Sequence, residues 1–319
     1  MPLFKAKTVR GSQLGVCAAA HGITAALVRT NAQGAPELQW ARHVETADVP
    51  SALSALAHQS DTRNVNCASL VQAGDYSLVL VEAPDVPPAE LRAAVRWRVN
   101  ELIDFHVDDA VIDIFDIPSA TDTSSNRIYA IAARTTAVRQ VATDLTGAGF
   151  KLEAIDIPEF ALRNIAALCP EDLHGVAMVA LERERGLVTL TRQSALFLSR
   201  RLDYGSVRLF GENASDLSWA GDSNSVLEGA MDTLVIEIQR SLDYYERHFA
   251  QPPIQGVVFA PCDVEISGAC AYLQSQLGLP VRSLDLNDVF QSATRLDAVT
   301  QARCYTAIGT ALRREEVAL

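Results

Sequence analysis

The alternation of apolar and polar positions from Ser77 to Pro118 predicts a strand, a helix and a second strand in close succession. An uninterrupted apolar run, Leu78–Val81, ends just before a cluster of three prolines, which is typical of a buried strand followed by a break. Apolar side chains then recur at spacings of three and four residues, at Leu91, Val95, Val99 and Leu102. This spacing predicts an amphipathic helix that begins near the prolines, where the first backbone N–H groups have no helical partner to lose.

Hairpins are predicted at two places in the rest of the chain. At 13–29 and again at 176–191, two apolar runs flank a short turn, and a third strand follows at 38–45 and at 195–202. The other predicted strands lie at 65–72, 127–133, 152–157, 256–260 and 280–282, and the predicted helices at 50–59, 135–146, 158–165, 232–249, 269–277 and 307–313. Polar residues dominate 119–126 and 213–227, which are predicted to be loops.

Length and composition place the chain among ordinary globular proteins. Its 319 residues, 49% of them apolar, are enough for two domains with substantial cores. The net charge of −12 disfavours nucleic acid or an anionic lipid surface as the main partner, because both require clustered cations. No apolar run approaches the roughly 18 residues of a membrane span, so we expect neither a membrane-spanning helix nor a standard secretion signal.

The cysteines do not indicate a metal site. Six are scattered along the chain without a CxxC pair or a histidine at ligand spacing, namely Cys17, Cys67, Cys169, Cys262, Cys270 and Cys304. We therefore expect free thiols, mostly buried, in a reducing compartment, and no bound metal.

Several stretches resemble one family of proteins in the same order along the chain. Four short segments resemble the sequence of the inserted subdomain of the PilM/MshI family of type IV pilus assembly proteins. They are Glu90-Leu91, 94–97, 102–105 and 111–113. The stretches 150–165, 237–245 and 305–313 also resemble that family. These are actin-like cytosolic proteins related to the cytoplasmic part of the type II secretion protein GspL, and the MshI branch serves mannose-sensitive haemagglutinin (MSHA) pili.

The resemblance implies an α/β fold of the actin-like, ribonuclease H-like type, with two domains and an inserted subdomain of the FtsA/PilM kind. Residues 1–75 would form the first part of domain I, 76–150 the insert and 151–174 the return to domain I. Residues 175–319 would form domain II, with a helical and loop subdomain near 205–253 and a final helix that returns to domain I.

The three segments that bind nucleotide in actin-like ATPases are altered in this sequence. An acidic residue and glycines of the first hairpin correspond to Gly15, Cys17 and Ala19, and the second hairpin carries Glu182 and Gly186 where relatives have a small, glycine-containing turn. Glycines of the adenosine loop correspond to Ala260 and Pro261. Side chains at these positions, and the missing N–H of proline, hinder close approach of the backbone to phosphate and ribose. The resemblance therefore implies a degenerate nucleotide site with no catalytic residue, although ATP with Mg²⁺ stays an alternative cofactor.

Two charged features have competing interpretations. The turn Glu182–Arg185 carries four alternating charges, which either face a ligand cleft or form a solvated hairpin tip, and the tip is the favoured interpretation. Asp156 at the end of a predicted strand resembles an acidic position of the family, but we expect it to cap the helix that begins at Pro158 or to hold a loop.

The functional expectation is a scaffold rather than an enzyme. The family binds the N-terminal cytoplasmic tail of a PilN-like inner-membrane protein near the junction of the first subdomain and the insert, so the chain would act at the cytoplasmic face of that membrane through its partner. An extended apolar peptide suits a groove with strand edges and aromatic walls. Val79, Val81, Trp97 and Phe105 are candidate contact residues by location, and an ordinary role in the insert core is the competing interpretation for each.

Two other functions are weighed against the scaffold. A nucleotide-binding ATPase of the actin and sugar-kinase superfamily would use ATP-dependent switching and would require phosphate donors, a metal-directed carboxylate and an open adenosine loop. A filament-forming divisome actin would anchor through a C-terminal amphipathic helix, for which the ending after Arg313 is too short and too acidic. The sequence leaves homodimerisation open.

Overall fold

The computed structural model describes residues 6–7, 11–118, 127–211, 224–262, 264, 267–292, 295–313 and 315–316. The predicted loop at 119–126 and the first part of the one at 213–227 lie outside these residues. The strands are β1 (Ala6–Lys7), β2 (Ser12–Ala19), β3 (Gly22–Thr30), β4 (Pro36–Glu45), β5 (Asn66–Leu70), β6 (Tyr76–Glu82), β7 (Ala110–Asp116), β8 (Arg127–Arg134), β9 (Lys151–Asp156), β10 (Val176–Leu181), β11 (Gly186–Arg192), β12 (Ala195–Leu202), β13 (Gly256–Phe259), β14 (Val281–Ser283), β15 (Gln291–Ser292) and β16 (Glu315–Glu316). The helices are α1 (Val49–Ala57), α2 (Pro88–Val99), α3 (Thr135–Ala148), α4 (Pro158–Ala166), α5 (Ser206–Phe210), α6 (Asn224–His248), α7 (Ser267–Leu277), α8 (Leu286–Val289) and α9 (Ala298–Ala311).

Two mixed sheets repeat one strand order. In the first, β4-β3-β2 is antiparallel and β5 and β9 continue it in parallel, with the short β15 beside β4. In the second, β12-β11-β10 is antiparallel and β13 and β14 follow in parallel. We call these two sheets with their helices the first and second lobes. Both predicted hairpins are confirmed, because each pairs two apolar runs across a short turn.

Helices α4 and α9 pack between the two sheets and connect their cores. Apolar residues of α4 and α9 share one buried cluster with residues of β3, β10 and β13. Close approach of the two helices depends on Gly309, because a Cβ there would overlap the carbonyl oxygen of Ala161. Helices α1 and α3 pack instead with the apolar residues on the opposite face of the first sheet. The space between the sheets is therefore bounded by α9 of the first lobe.

The insert is a three-stranded antiparallel sheet of order β6-β8-β7 with α2 on one face. Val95 and Val99 of α2 are fully buried against this sheet, which confirms the helical spacing of these residues. The inclusion of Leu102 in that helix is wrong, because α2 ends at Val99 and Leu102 is 54% exposed beyond it. The other face carries Leu78 and Ile131, which pack with Ile155 and Phe160 near the first lobe. The element order β6, α2, β7, β8, α3 confirms the strand, helix, strand, strand and helix predicted for this segment.

Two helices begin well before their predicted starts, and one of them is α9, which begins at Ala298 instead of 307. Helix α6 begins at Asn224, eight residues before the predicted start. The polar composition of 224–231 led to the prediction of a loop, but such a composition does not prevent a helix that packs on a lobe. Its later part buries Leu234, Ile238 and Tyr245 against the second sheet, as the periodicity predicted. Among the described residues no helix is long and apolar enough to span a membrane.

Candidate functional site

A cavity of about 860 Å³ opens between the two lobes. Its walls are the tip of the β2–β3 hairpin, the residues that follow β5, the turn after β10, the segment after β13 and one side of α9. Parallel strands β5 and β13 both end at this cavity, and ligands of α/β sheets commonly bind at the carboxyl ends of such strands. The cavity is therefore the candidate ligand site of the fold.

Four of the seven candidate nucleotide-site residues line this cavity. They are Cys17, Ala19, Glu182 and Pro261. The other three, Gly15, Gly186 and Ala260, do not line it. The tertiary structure thus brings together one residue from each of the three expected segments and one more from the first hairpin.

Gly15 has a packing role. A Cβ at this position would overlap the carbonyl oxygen of Ala307 and would lie 2.7 Å from the backbone nitrogen of Ala311, both in α9. Gly186 is also enclosed, since its Cβ would lie 2.9 Å from Leu202 Cδ1. Both glycines permit close packing inside a lobe, and neither presents its backbone to the cavity.

Cys17 is the residue predicted from the resemblance to replace an acidic residue of actin-like ATPases, and its chemistry differs from that of a carboxylate. The thiol is half-buried, and its Sγ lies 3.9 Å from Thr310 Oγ1 on α9. Burial raises the pKa of the Cys17 thiol to about 11, and hydrogen bonds from neighbouring hydroxyls oppose that rise only in part. The side chain is therefore neutral near pH 7, so it supplies no charge that would hold a divalent cation.

The charged turn Glu182–Arg185 has exposed side chains, and two of its backbone carbonyls accept hydrogen bonds from the start of α5. The Glu182 carbonyl accepts a hydrogen bond from Ser206 N at 2.7 Å, and the Arg183 carbonyl accepts one from Val207 N at 3.1 Å. Gly205 is needed for this contact, because a Cβ there would overlap the Glu182 carbonyl oxygen. The exposure of the four side chains agrees with the solvated tip, but the backbone of the turn is packed against the start of α5.

Glu182 lines the cavity and is exposed as a residue. Partial desolvation by the cavity walls raises the pKa of Glu182, and the Arg185 guanidinium opposes this rise. Arg185 also donates a hydrogen bond to the Ala73 carbonyl at 3.2 Å, which links the second-lobe turn to the segment that leads into the insert.

One wall of the cavity was missed by sequence reasoning. Val299, Arg303, Tyr305 and Thr306 of α9 all line it. Arg303 lies 3.7 Å from Glu45 at the rim, where both side chains are largely exposed, so this ion pair contributes little to stability. The sequence contained the signal that 305–313 resembles the family, but it did not indicate which side of the helix faces the space between the lobes.

Of the two roles predicted for Asp156, capping α4 is wrong, and holding a loop is confirmed by its contact with the segment after α9. Ile157 is the N-cap residue of α4, and it makes no side-chain cap hydrogen bond. The Asp156 carboxylate instead accepts a hydrogen bond from Arg313 Nε at 2.9 Å, just after α9. Burial raises the pKa of Asp156, while Arg313 and Arg163 oppose the rise. The residue joins β9 to the end of α9.

The four candidate partner residues of the insert fall into two groups. Val81 is buried and Val79 and Phe105 are partly buried against the core beneath α2, which agrees with the interpretation as core residues. Arg134 also covers the Phe105 ring, at 4.3 Å from its centroid. Trp97 is different, because it is 79% exposed on the outer side of α2. Among the described residues, no group of three or more His, Cys, Asp or Glu side chains is arranged to hold a metal ion.

No family model and no curated protein matches the sequence. Among solved structures, a chain of the PilM–PilN type IV pilus biogenesis complex is similar with a TM-score of 0.71 and 19% identity, over 96% of this chain and 98% of that one. The cytoplasmic domain of EpsL, an inner-membrane component of the Vibrio cholerae type II secretion system, has a TM-score of 0.49 and 11% identity over 92% and 93% of the two chains. A Bacteroides thetaiotaomicron protein with an actin-like ATPase fold and unknown function has a TM-score of 0.48 and 7% identity over 92% and 96%.

The likeness to the pilus complex chain is a likeness of fold. It extends over almost the full length of both chains, so it includes both lobes and the insert. It confirms the predicted fold, an actin-like α/β fold of two domains with an insert of the PilM kind. At 19% identity, the activity and partners of that complex do not transfer with the fold.

Proposed function

We propose that this protein is a non-enzymatic scaffold of a type IV pilus assembly machine. It would bind the N-terminal cytoplasmic tail of a PilN-like inner-membrane protein and would lie at the cytoplasmic face of that membrane through this partner. The observation that carries the proposal is the likeness, over nearly the whole of both chains, to a chain solved in a PilM–PilN complex. The resemblance of the sequence favours the MshI branch, which serves MSHA pili.

The chemistry of the cavity supports a scaffold without nucleotide turnover. Cys17 is protonated near pH 7 and Pro261 has no N–H, so neither residue supplies what the first hairpin and the adenosine loop of an ATPase supply. In the second-lobe turn the Glu182 N–H, a group that could donate to a phosphate oxygen, is instead bonded to the Arg185 carbonyl at 2.9 Å. Phosphoryl transfer depends on positioned donors and a metal ion, and all three segments depart from that requirement.

The insert surface supports a protein partner. Trp97 is 79% exposed and Leu102, just after α2, is 54% exposed. Exposed aromatic side chains frequently dominate the binding energy of protein interfaces. Trp97 is therefore the candidate contact residue that remains accessible, whereas Val81 is expected to act only by supporting the insert core.

The test of this proposal is direct binding of a fluorescent N-terminal tail peptide from a PilN-like protein, followed by anisotropy. We expect Trp97→Ala to weaken binding at least about tenfold, equivalent to about 1.4 kcal/mol. The matched control is Leu173→Ala, which shortens another exposed apolar side chain, 60% accessible, next to the second lobe. The absence of binding to any PilN-like tail, or equal losses in the two variants, would overturn the proposal.

A nucleotide-binding ATPase is the second candidate, because the cavity of about 860 Å³ is within the size range of cofactor sites. Titration calorimetry with Mg·ATP separates the two functions. A scaffold with a degenerate cleft should give no binding tighter than about 1 mM. Micromolar binding would favour the ATPase and an ATP-dependent switch.

A further inference from the structure

A buried carboxylate, Glu159, lies where the insert and both lobes meet. Glu159 is in the first turn of α4 in the first lobe, and its side chain is only 1% exposed. A carboxylate so deeply buried needs hydrogen bonds or a cation, because the loss of hydration is otherwise very costly. Its location near the N-terminus of α4 contributes some stabilisation through the helix dipole.

The partners of Glu159 come from the two other parts of the molecule. Tyr76 of β6, in the insert, donates its hydroxyl to Glu159 Oε2 in a short hydrogen bond. Ser199 Oγ and Arg201 Nη2 of β12, in the second lobe, lie 3.4 and 3.6 Å from Glu159 Oε1. Within the described residues, the carboxylate of the first lobe thus takes its side-chain partners from the insert and the second lobe.

Arg201 also binds the insert directly. Its guanidinium lies 4.2 Å from the centroid of the Tyr76 ring and donates a hydrogen bond to the Tyr76 carbonyl at 3.3 Å. Burial and the adjacent Glu159 raise the pKa of Tyr76, so this tyrosine remains a protonated donor. Tyr76, Glu159 and Arg201 therefore form one connected cluster, which we call the joint.

A second contact fastens the insert to the same strand of the second lobe. Tyr129 of β8 is buried and donates its hydroxyl to the Phe197 carbonyl of β12 at 3.1 Å. β12 is the edge strand of the second sheet, so this bond satisfies a backbone group that an edge strand would otherwise leave open. Phe115 stacks on Tyr129 and also meets Phe160 of α4 edge to face.

The joint is next to the cavity between the lobes. Pro158, which precedes Glu159, lines the cavity, and so does Ala73, three residues before Tyr76. Separation of the lobes would move β12 away from α4 and would break the contacts of Arg201 and Ser199 with Glu159.

We propose that the joint of Tyr76, Glu159 and Arg201 is a conformational device by which the second lobe holds the insert in place against the first lobe. A ligand or partner that separates the lobes releases the insert, and one that holds the insert fixes the lobes. This coupling is reciprocal, as any linkage between two parts of a molecule must be. It does not depend on which partner binds the insert or on whether the cavity holds a ligand.

Hydrogen exchange measured by mass spectrometry on the full chain tests the joint. Arg201→Gln should raise exchange in β6 and β8 of the insert at least about tenfold, because it leaves Glu159 without its cation. The matched control is Arg200→Gln on the same strand, whose guanidinium pairs with Glu237 at 3.0 Å inside the second lobe. This control should leave exchange in the insert within about twofold of the original protein.

A gentler variant keeps the test decisive if Arg201→Gln unfolds. Tyr76→Phe removes only the hydroxyl and should raise exchange in β12 of the second lobe as well as in β6, as reciprocity requires. In the double variant with Arg201→Gln, the increase in exchange rate should be smaller than the product of the two separate increases, because both substitutions act on one carboxylate. Equal effects of Arg200→Gln and Arg201→Gln on the insert, or an effect of Tyr76→Phe confined to β6, would overturn the proposal.

Discussion

The two hairpins that open the lobes have the same topology and different tips. In both, an antiparallel pair precedes a third strand, and in both the tip lines the cavity between the lobes. The first tip, Ala18–Gly22, is built mainly of small uncharged residues, whereas the second, Glu182–Arg185, carries four charges. One fold element thus presents a small, largely apolar surface on one side of the cavity and a charged surface on the other.

The two tips also differ in which groups they leave available to a ligand. In the first hairpin, burial keeps the Cys17 thiol neutral and Gly15 packs against α9. In the second hairpin, the Glu182 N–H donates to the Arg185 carbonyl, and the Glu182 and Arg183 carbonyls accept from the start of α5. A shared backbone geometry therefore does not preserve a shared site, since the site depends on which groups remain free.

The largest effect that separates the two hairpins should come from their glycines. Gly15→Ala should lower the free energy of unfolding by about 3 kcal/mol, because the new Cβ meets backbone atoms of α9 that cannot move away separately. Gly186→Ala should cost only about 1 kcal/mol, since its nearest neighbours include the ends of leucine side chains that can rotate. Urea unfolding at one temperature measures both values.

The control for these two variants is Gly147→Ala in α3. A Cβ at Gly147 has open space around it, so this change should stabilise the protein by up to about 1 kcal/mol through helix propensity. Equal losses of unfolding free energy for Gly15→Ala and Gly186→Ala would show that the packing of the two hairpins tolerates an added Cβ equally well.

A smaller effect should follow when an acidic residue is placed in the first hairpin. Cys17→Asp should be less stable than the neutral control Cys17→Ser by about 1 to 3 kcal/mol at pH 8, because the walls that raise the thiol pKa also disfavour a carboxylate. A carboxyl pKa raised in the folded state means that stability is lost as pH rises through that pKa. The gap between the variants should therefore close toward pH 4, and a gap independent of pH would refute the explanation by desolvation.

The smallest effect should come from the charged tip. The pKa of Glu182 is raised in the folded protein, so its ionisation removes stability as pH rises from below its ordinary value. Glu182→Gln should abolish that loss. Relative to the original protein, the variant should therefore gain roughly 0.5 kcal/mol or less in free energy of unfolding between pH 4 and pH 7, a small amount because the side chain is exposed to solvent. Thermal unfolding at the two pH values measures the gain, and a loss at pH 7 would indicate that the ionised carboxylate is stabilised instead.

Much of the fold could be predicted because the determining signals are local. The alternation in both hairpins, the helical spacing of Leu91, Val95 and Val99, and the prolines before α2 act over a few residues, and the structure contains the corresponding elements. Boundaries without such signals were missed, as at the start of α6. The partner of Asp156 was also missed, since Arg313 lies 157 positions away along the chain.

The sequence by itself determined which elements form and which side chains are available at the cavity. Periodicity decides most of the elements, and residue type decides that the cavity receives a thiol from Cys17, a methyl group from Ala19 and a ring without an N–H from Pro261. Only the tertiary structure decided that Gly15 packs against α9, that α9 forms a wall of the cavity, and that Glu159 joins three parts of the molecule. These facts depend on distances between residues that are far apart in the chain, and such distances are set by the packing of whole elements on one another.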